Sequence, residues 1–308
     1  MPDRIPFFLV DVFTDRPLDG NPLALVPDAD DLPEAVLPRI AREFNQAETT
    51  FLSRPGVPGA DWRLQSFTAA GVEVFGAGHN ALGAWWWLAA VSGRLGPGGA
   101  TGRGGQWHQQ LGSEVLPVTV AVDDEGRTGV TMRQEAARYG AELDDHAELA
   151  GALGVRIDAL GAAPGMPVAQ IVSTGASHLM VGLRDRATVD AVRPDAARLR
   201  ALLPGVGGEG VYMYALDPLE RDAQAHARFV NPVAGITEDP ATGTAAGPLA
   251  CLLRRHGGVT GVAGDEVTVV QGHALGRPSR LRLTVSGDVP YLTGRATLSA
   301  EGELFLPG

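Results

Sequence analysis

Glu48 stands in the run Asn45-Gln46-Ala47-Glu48-Thr49-Thr50-Phe51, between an expected helix end and a strand start. An acidic side chain just outside a helix is ordinarily a solvated charge. Turned into an apolar cleft it would resist ionisation and suit the work of a general base. The residues alone leave both readings open. His79 follows Gly78 at the opening of an apolar helix. It is either an imidazole hydrogen-bonded in the core or a donor and proton carrier, since its unperturbed pKa lies near neutrality. Asp239-Pro240-Ala241-Thr242-Gly243-Thr244 opens a second apolar helix. Asp and Thr side chains there suffice as a cap. They also outnumber what a cap needs, which leaves polar groups for a ligand. Gly78 and Gly243 let the backbone approach a ligand closely, and the first amides of a helix are unpaired donors at a positive dipole end. Two such ends would suit a carboxylate. The plainer reading is that each glycine only starts its helix.

Other chemistry is excluded by absence. The sequence contains no lysine, so all 25 cationic side chains are Arg. Schiff-base catalysis and a Walker-type phosphate loop both need the amine. The single cysteine, Cys251, lies in the apolar run Pro248-Leu249-Ala250-Cys251-Leu252-Leu253 and reads as a buried, inert thiol. A disulfide, a cysteine-rich zinc site and a two-thiol racemase are excluded with it. The remaining His residues show no metal-ligand spacing, so no metal is expected. No G-x-S-x-G elbow occurs, and no G-x-G-x-x-G follows a strand. Gly102-Arg103-Gly104-Gly105 falls inside the glycine-rich stretch 96–105, read as a surface loop. The net charge of −11 opposes nucleic-acid binding. The apolar run Ala84 to Val91 is too short to span a bilayer, and Met1–Ile5 lacks the pattern of a signal peptide. A cytoplasmic protein without a membrane partner is expected.

These groups need elements to hold them. The 308 residues, 44% hydrophobic and 20% charged, suit one large domain or two ordinary ones. Short β-branched or alternating runs predict many strands, among them 7–13, 23–26, 49–52, 115–122, 129–133, 169–173, 178–183, 211–215, 266–270, 280–285 and 303–306. Helical patterns cover Asp31 to Phe44, entered through Pro33, and Ala187 to Leu203, stopped by Pro204-Gly205. The segments His79–Val91 and Thr244–Leu253 carry almost no charge on any face, so each must be enclosed on all sides. Two α+β lobes follow, each a curved sheet around a central helix. Gly20-Asn21-Pro22-Leu23-Ala24-Leu25-Val26 echoes Gly175-Ala176-Ser177-His178-Leu179-Met180-Val181, which favours an internal duplication. The linker is expected at Val122–Gly126. That divides the chain into 1–122, completed by a C-terminal strand in 291–308, and 123–290.

Several runs are similar to those of a known family. Val10-Asp11-Val12-Phe13-Thr14-Asp15-Arg16-Pro17 with Gly20-Asn21-Pro22 resembles the opening of the PhzF family of phenazine-biosynthesis isomerase-like proteins. So do Ala41–Asn45 leading to Glu48-Thr49, Phe67-Thr68 leading to Glu73-Val74 and Gly78-His79, and Ser173-Thr174-Gly175. Glu238–Gly247 and Gly276-Arg277-Pro278-Ser279 complete the set, in family order along nearly the whole chain. The resemblance implies a diaminopimelate-epimerase-like fold, a homodimer, no cofactor, and a site to which both lobes contribute. It implies that Glu48 moves a proton between carbons of a small carboxylate, as in isomerisation of trans-2,3-dihydro-3-hydroxyanthranilate, with His79 and Asp239 as the matching histidine and aspartate. Gly78, Gly243 and Thr244 would hold the substrate. Three features depart from the family: Asn80 after Gly-His, Ala47 before Glu48, and the glycine-rich stretch 96–105.

Two competing readings remain. A two-base epimerase of this fold uses a thiol from each lobe, and those positions hold Ala77 and Thr242. A non-catalytic binding or interaction protein of the same fold would keep a ligand site without turnover.

Overall fold

The computed structural model describes residues 2–95, 104–257 and 266–306. They form two compact units, Met1–Met132 with Thr293–Gly308, and Arg133–Leu292.

The first unit is built from β1 (Arg4–Val12), β2 (Asn21–Val26), α1 (Leu37–Phe44), β3 (Glu48–Ser53), β4 (Trp62–Thr68), β5 (Glu73–Val74), α2 (His79–Ala90), β6 (Gly104–Leu111), β7 (Glu114–Val122) and β8 (Thr128–Arg133). The C-terminal strand Ala296–Phe305 pairs antiparallel with β1. From β1 the ladder runs antiparallel to β2, parallel to β3 and antiparallel to β4. β4 then carries β5 antiparallel and β6 parallel, and β7 and β8 follow antiparallel.

Helix α2 packs against β1, β2, β3, β7 and the C-terminal strand. Ten of its twelve residues are buried, as its uncharged sequence requires. The approach is close at Gly83, where an added Cβ would lie 2.7 Å from Leu23 and 2.8 Å from Val12. Gly83→Val is therefore expected to lower stability by about 1–3 kcal/mol through overpacking. A denaturant midpoint equal to that of the parent protein would refute this.

Helix α1 starts later than its sequence pattern suggests. A 3-10 turn at Glu34–Val36 comes first, and Pro38 then sits in the first turn of α1. A missing N–H there costs no helical bond. The turn at Asp123–Gly126, expected as the linker, is instead a hairpin: Gly126 N–H donates to Asp123 O at 2.9 Å, joining β7 to β8. The chain changes unit after Met132. Gly104 and Gly105 belong to β6 rather than to a loop, and residues 96–103 lie outside the described residues.

The second unit contains β9 (Arg138–Glu142), α3 (His146–Leu153), β10 (Ala169–Ser173), β11 (Ser177–Gly182), α4 (Arg186–Ala191), α5 (Ala196–Val206), β12 (Gly210–Ala215), β13 (Ala225–Asn231), β14 (Ile236–Asp239), α6 (Gly243–Arg255), β15 (Glu266–Gln271), β16 (Ser279–Ser286) and β17 (Val289–Gly294), the last of which leads the chain back to the first unit. The single helix expected over 187–203 is two. Pro194 disfavours a helical Arg193 and offers no donor, so α4 ends before it, and Asp195 starts α5 by accepting from the Ala197 and Arg198 amides. Pro204 does not stop α5. It lies exposed in the last turn, and the helix ends at Gly207 with φ of 73°.

The two units share one topology. β10–β11 is antiparallel, β11–β12 parallel, β12–β13 antiparallel, β13–β14 antiparallel, β13–β15 parallel and β15–β16 antiparallel. This repeats, strand for strand, the order from β1 to β7. Helix α6, with ten of thirteen residues buried, takes the place of α2 and packs against β10, β11 and β16. The duplication suggested by the two glycine-led runs is thus a duplication of architecture. Among the described residues no helix is long and apolar enough to cross a membrane.

Candidate functional site

The shared topology allows the candidate residues to be compared by register. In the first unit Leu25, Thr50, Ser66 and Val74 lie opposite one another in succession. In the second the same row is Met180, Tyr212, Phe229 and Asp239. Four residues beyond Val74 and Asp239 stand Gly78 and Gly243, and then His79 and Thr244. Likewise Leu23 faces Glu48 while His178 faces Gly210. Each titratable group of the candidate set therefore occurs once. Glu48 has a glycine as its counterpart, Asp239 a valine and His79 a threonine.

Glu48, Gly78 and His79 belong to the first unit. Glu48 is the first residue of β3, half-buried, with its Oε2 shielded from solvent. Leu23, its partner in register, is the residue that packs on Gly83 of α2, one turn beyond His79. Glu48 and the start of α2 thus lie at the same end of this unit. His79 is 9% exposed, and its Nε2 is buried with no hydrogen-bond partner among the described residues. Burial pushes its pKa down to about 4, so the ring is neutral near pH 7.

Gly78 is the N-cap of α2 and has no side chain to offer. Asn80 supplies the bond. Its Oδ1 accepts from Gly78 N–H at 2.7 Å, and its Nδ2 donates to Gly76 O at 3.0 Å. The Gly78 amide, expected to face a substrate, is thus donated within the chain.

Asp239, Gly243 and Thr244 belong to the second unit. Asp239 ends β14, and its Oδ2 accepts from the Thr242 hydroxyl at 2.5 Å. Thr242 is the N-cap of α6, yet its hydroxyl is turned to Asp239 rather than to the helix amides. Gln271, fully buried at the end of β15, holds this turn together. Its Nε2 donates to Asp239 O at 2.7 Å and to Thr242 Oγ1 at 3.1 Å. Its Oε1 accepts from Thr242 N–H at 3.2 Å and from the Tyr212 hydroxyl at 2.9 Å. Gln271→Leu would leave those groups unsatisfied, with an expected loss of about 3 kcal/mol. Unchanged stability by urea denaturation would show that the network contributes nothing.

Thr244 Oγ1 lies 3.4 Å from His178 Nε2, and Gln134 donates to Gly243 O at 2.9 Å while accepting from Thr174 at 2.8 Å. His178 is buried against Phe229, and burial pushes its pKa down to about 4 as well. Unfolded histidines titrate near 6.5, so between about 6.5 and 4 the unfolded chain binds more protons than the folded one. Stability is expected to be fully present above that window and to fall as pH drops through it. Denaturation at pH 7 and pH 5 tests this: replacing His79 or His178 by Gln should flatten the difference, and an unflattened difference would contradict it.

Gln271, Asn80, Gln134 and His178 were not among the residues expected from sequence. Cys251 lies inside α6 with its thiol pushed up to about 12 by burial, and no other thiol exists to serve either unit. Among the described residues no group of three or more His, Cys, Asp or Glu side chains could hold a metal ion.

A family model described as phenazine biosynthesis-like protein (PhzC-PhzF) matches residues 10–302. The chain is 32% identical over 303 residues to a Pseudomonas fluorescens protein named trans-2,3-dihydro-3-hydroxyanthranilate isomerase, covering 97% of this chain and 96% of that protein. It is 32% identical over 283 residues to the uncharacterized isomerase YddE of Escherichia coli K12, covering 90% of this chain and 89% of the relative. A solved PhzF-family phenazine biosynthesis protein from Bacillus anthracis superposes with a TM-score of 0.85 at 25% identity, covering 99% of this chain and 100% of that one.

Proposed function

We propose, because the chain belongs to the PhzC-PhzF phenazine biosynthesis-like family, that it moves a proton between two carbons of a small, cyclic carboxylate with Glu48 as the carrier. The chain is an isomerase of that family, with the α+β fold of diaminopimelate-epimerase-like proteins. The observation that carries the finer reading is the shielded Oε2 of Glu48 at the head of β3, at the same end of its unit as the start of α2.

In this reading the Glu48 carboxylate takes a proton from one carbon, and the electron pair of the broken C–H bond spreads into the adjoining π-system. The protonated carboxyl then returns the proton to another carbon. Nothing is oxidised or reduced, so the step needs no redox cofactor. Charge that builds on the substrate is met by the neutral His79, through its unpartnered Nε2, and by first-turn amides of α2. With Gly78 N–H engaged by Asn80, the donors at α2 are the amides that follow it. For the second unit the family resemblance implies a part in holding the substrate for Asp239, steadied by Thr242 and Gln271, for Gly243, and for Thr244, beside His178. The single occurrence of each titratable group supports one carrier over a symmetric two-base epimerase. The reading includes a homodimer, supported by the family resemblance, and a cytoplasmic location.

The test is isomerisation of trans-2,3-dihydro-3-hydroxyanthranilate by the purified chain, followed by NMR. Turnover of that compound or a close cyclic amino acid is expected. Ligand-induced stabilisation across such a panel without any turnover would favour a binding protein instead.

A further inference from the structure

Asn80 occupies the second position of α2 and is 1% exposed. A buried amide side chain so near a helix start would ordinarily be costly, and here both its groups are satisfied by backbone of the preceding turn. Its Oδ1 takes the Gly78 N–H at 2.7 Å and its Nδ2 reaches Gly76 O at 3.0 Å. These bonds close a small ring of chain around one residue, His79. The backbone before the histidine is tied to the side chain after it.

His79 needs such a tie more than most residues. Its N-terminal neighbour is a glycine, which sets little restriction on the chain. Its own ring gains no fixed direction from Nε2, which has no partner among the described residues. A glycine-rich approach, Gly76-Ala77-Gly78, would leave the imidazole free to change its aim. Asn80 removes that freedom at the cost of the Gly78 amide as a ligand donor.

We propose that Asn80 is the positioning residue for His79, fixing through Gly76 and Gly78 the direction in which the imidazole presents its unpartnered Nε2 to a ligand. The catalytic part of this inference rests on the isomerase reading above; the positioning part does not.

The experiment uses the full chain with 15N-labelled histidine, as wild type and as Asn80→Ala. In the folded variant the His79 ring resonances should shift, and the titration midpoint should rise from about 4 toward the ordinary value of 6.5 as the ring gains access to solvent. The resonances of His178, in the other unit, should stay where they are. In parallel, kcat for trans-2,3-dihydro-3-hydroxyanthranilate should fall by about 10- to 100-fold with a smaller change in KM, since misaiming a catalytic group mainly slows the chemical step. His79 resonances and titration unchanged in a folded Asn80→Ala variant would overturn the proposal. If that variant does not fold, Asn80→Ser replaces it: a hydroxyl is too short to span both Gly76 O and Gly78 N–H, so the same shift is expected and its absence is equally decisive. The NMR readout needs no substrate. A shifted His79 in a protein whose wild type turns nothing over would therefore sustain the positioning role and reject the isomerase reading.

Discussion

Glu48→Gln is expected to keep the fold and substrate binding while slowing turnover by at least about 10²–10⁴-fold, the range in which a positioned acid–base group contributes. The side chains are nearly isosteric, so the head of β3 has no steric reason to move. The amide cannot accept and return a proton as the carboxylate does. Its counterpart in the second unit is Gly210, so no second carboxylate stands at the equivalent place to take over. Circular dichroism and denaturation should match the wild type while NMR progress curves go flat. Turnover within tenfold of wild type would remove Glu48 from the role of carrier.

The largest expected effect on stability lies at Arg228. This side chain is 6% exposed in the middle of β13. Its guanidinium makes a bidentate pair with Glu238, at 2.9 and 2.8 Å, and also donates to Val189 O at 2.9 Å and Val192 O at 3.1 Å. It therefore ties the residue preceding Asp239 to the end of α4. Arg228→Met strands a largely buried carboxylate and several carbonyls, and is expected to cost about 3–5 kcal/mol. Much of that cost comes from leaving Glu238 alone. The double variant Arg228→Met, Glu238→Leu should recover a large part of it. A single variant as stable as wild type, or a double variant no better than the single, would contradict this account.

The same strand shows why part of the fold was hidden in the sequence. His226 and Arg228 interrupt what would otherwise read as an apolar run, so Ala225–Asn231 gives no clean strand pattern. In the folded chain each polar group is paired, His226 with Asp190 at 2.8 Å and Arg228 with Glu238. These partners lie 36 and 10 residues away. The two buried helices were legible for the opposite reason, since a helix without charge on any face admits only one environment. Helix boundaries near prolines were less legible. Pro38 and Pro204 are both accommodated inside helices at terminal turns, whereas Pro194 divides one. At the site, Glu48, His79 and Asp239 could be singled out from type and position. Gln271 could not, because its bonds reach Asp239 and Tyr212 across 32 and 59 residues. Asn80 was visible only as a departure from the family pattern, and its bonds to Gly76 and Gly78 supply the physical reason for it.

The central claim is that one carboxyl group carries the same hydrogen from one carbon to another. Single-turnover isomerisation in D2O, with enzyme in excess over unlabelled trans-2,3-dihydro-3-hydroxyanthranilate, tests it most directly. A carrier shielded from solvent, as Oε2 of Glu48 is, should deliver substrate-derived hydrogen, leaving a measurable share of product without deuterium at the receiving carbon. Product that carries solvent deuterium there in every molecule would contradict it.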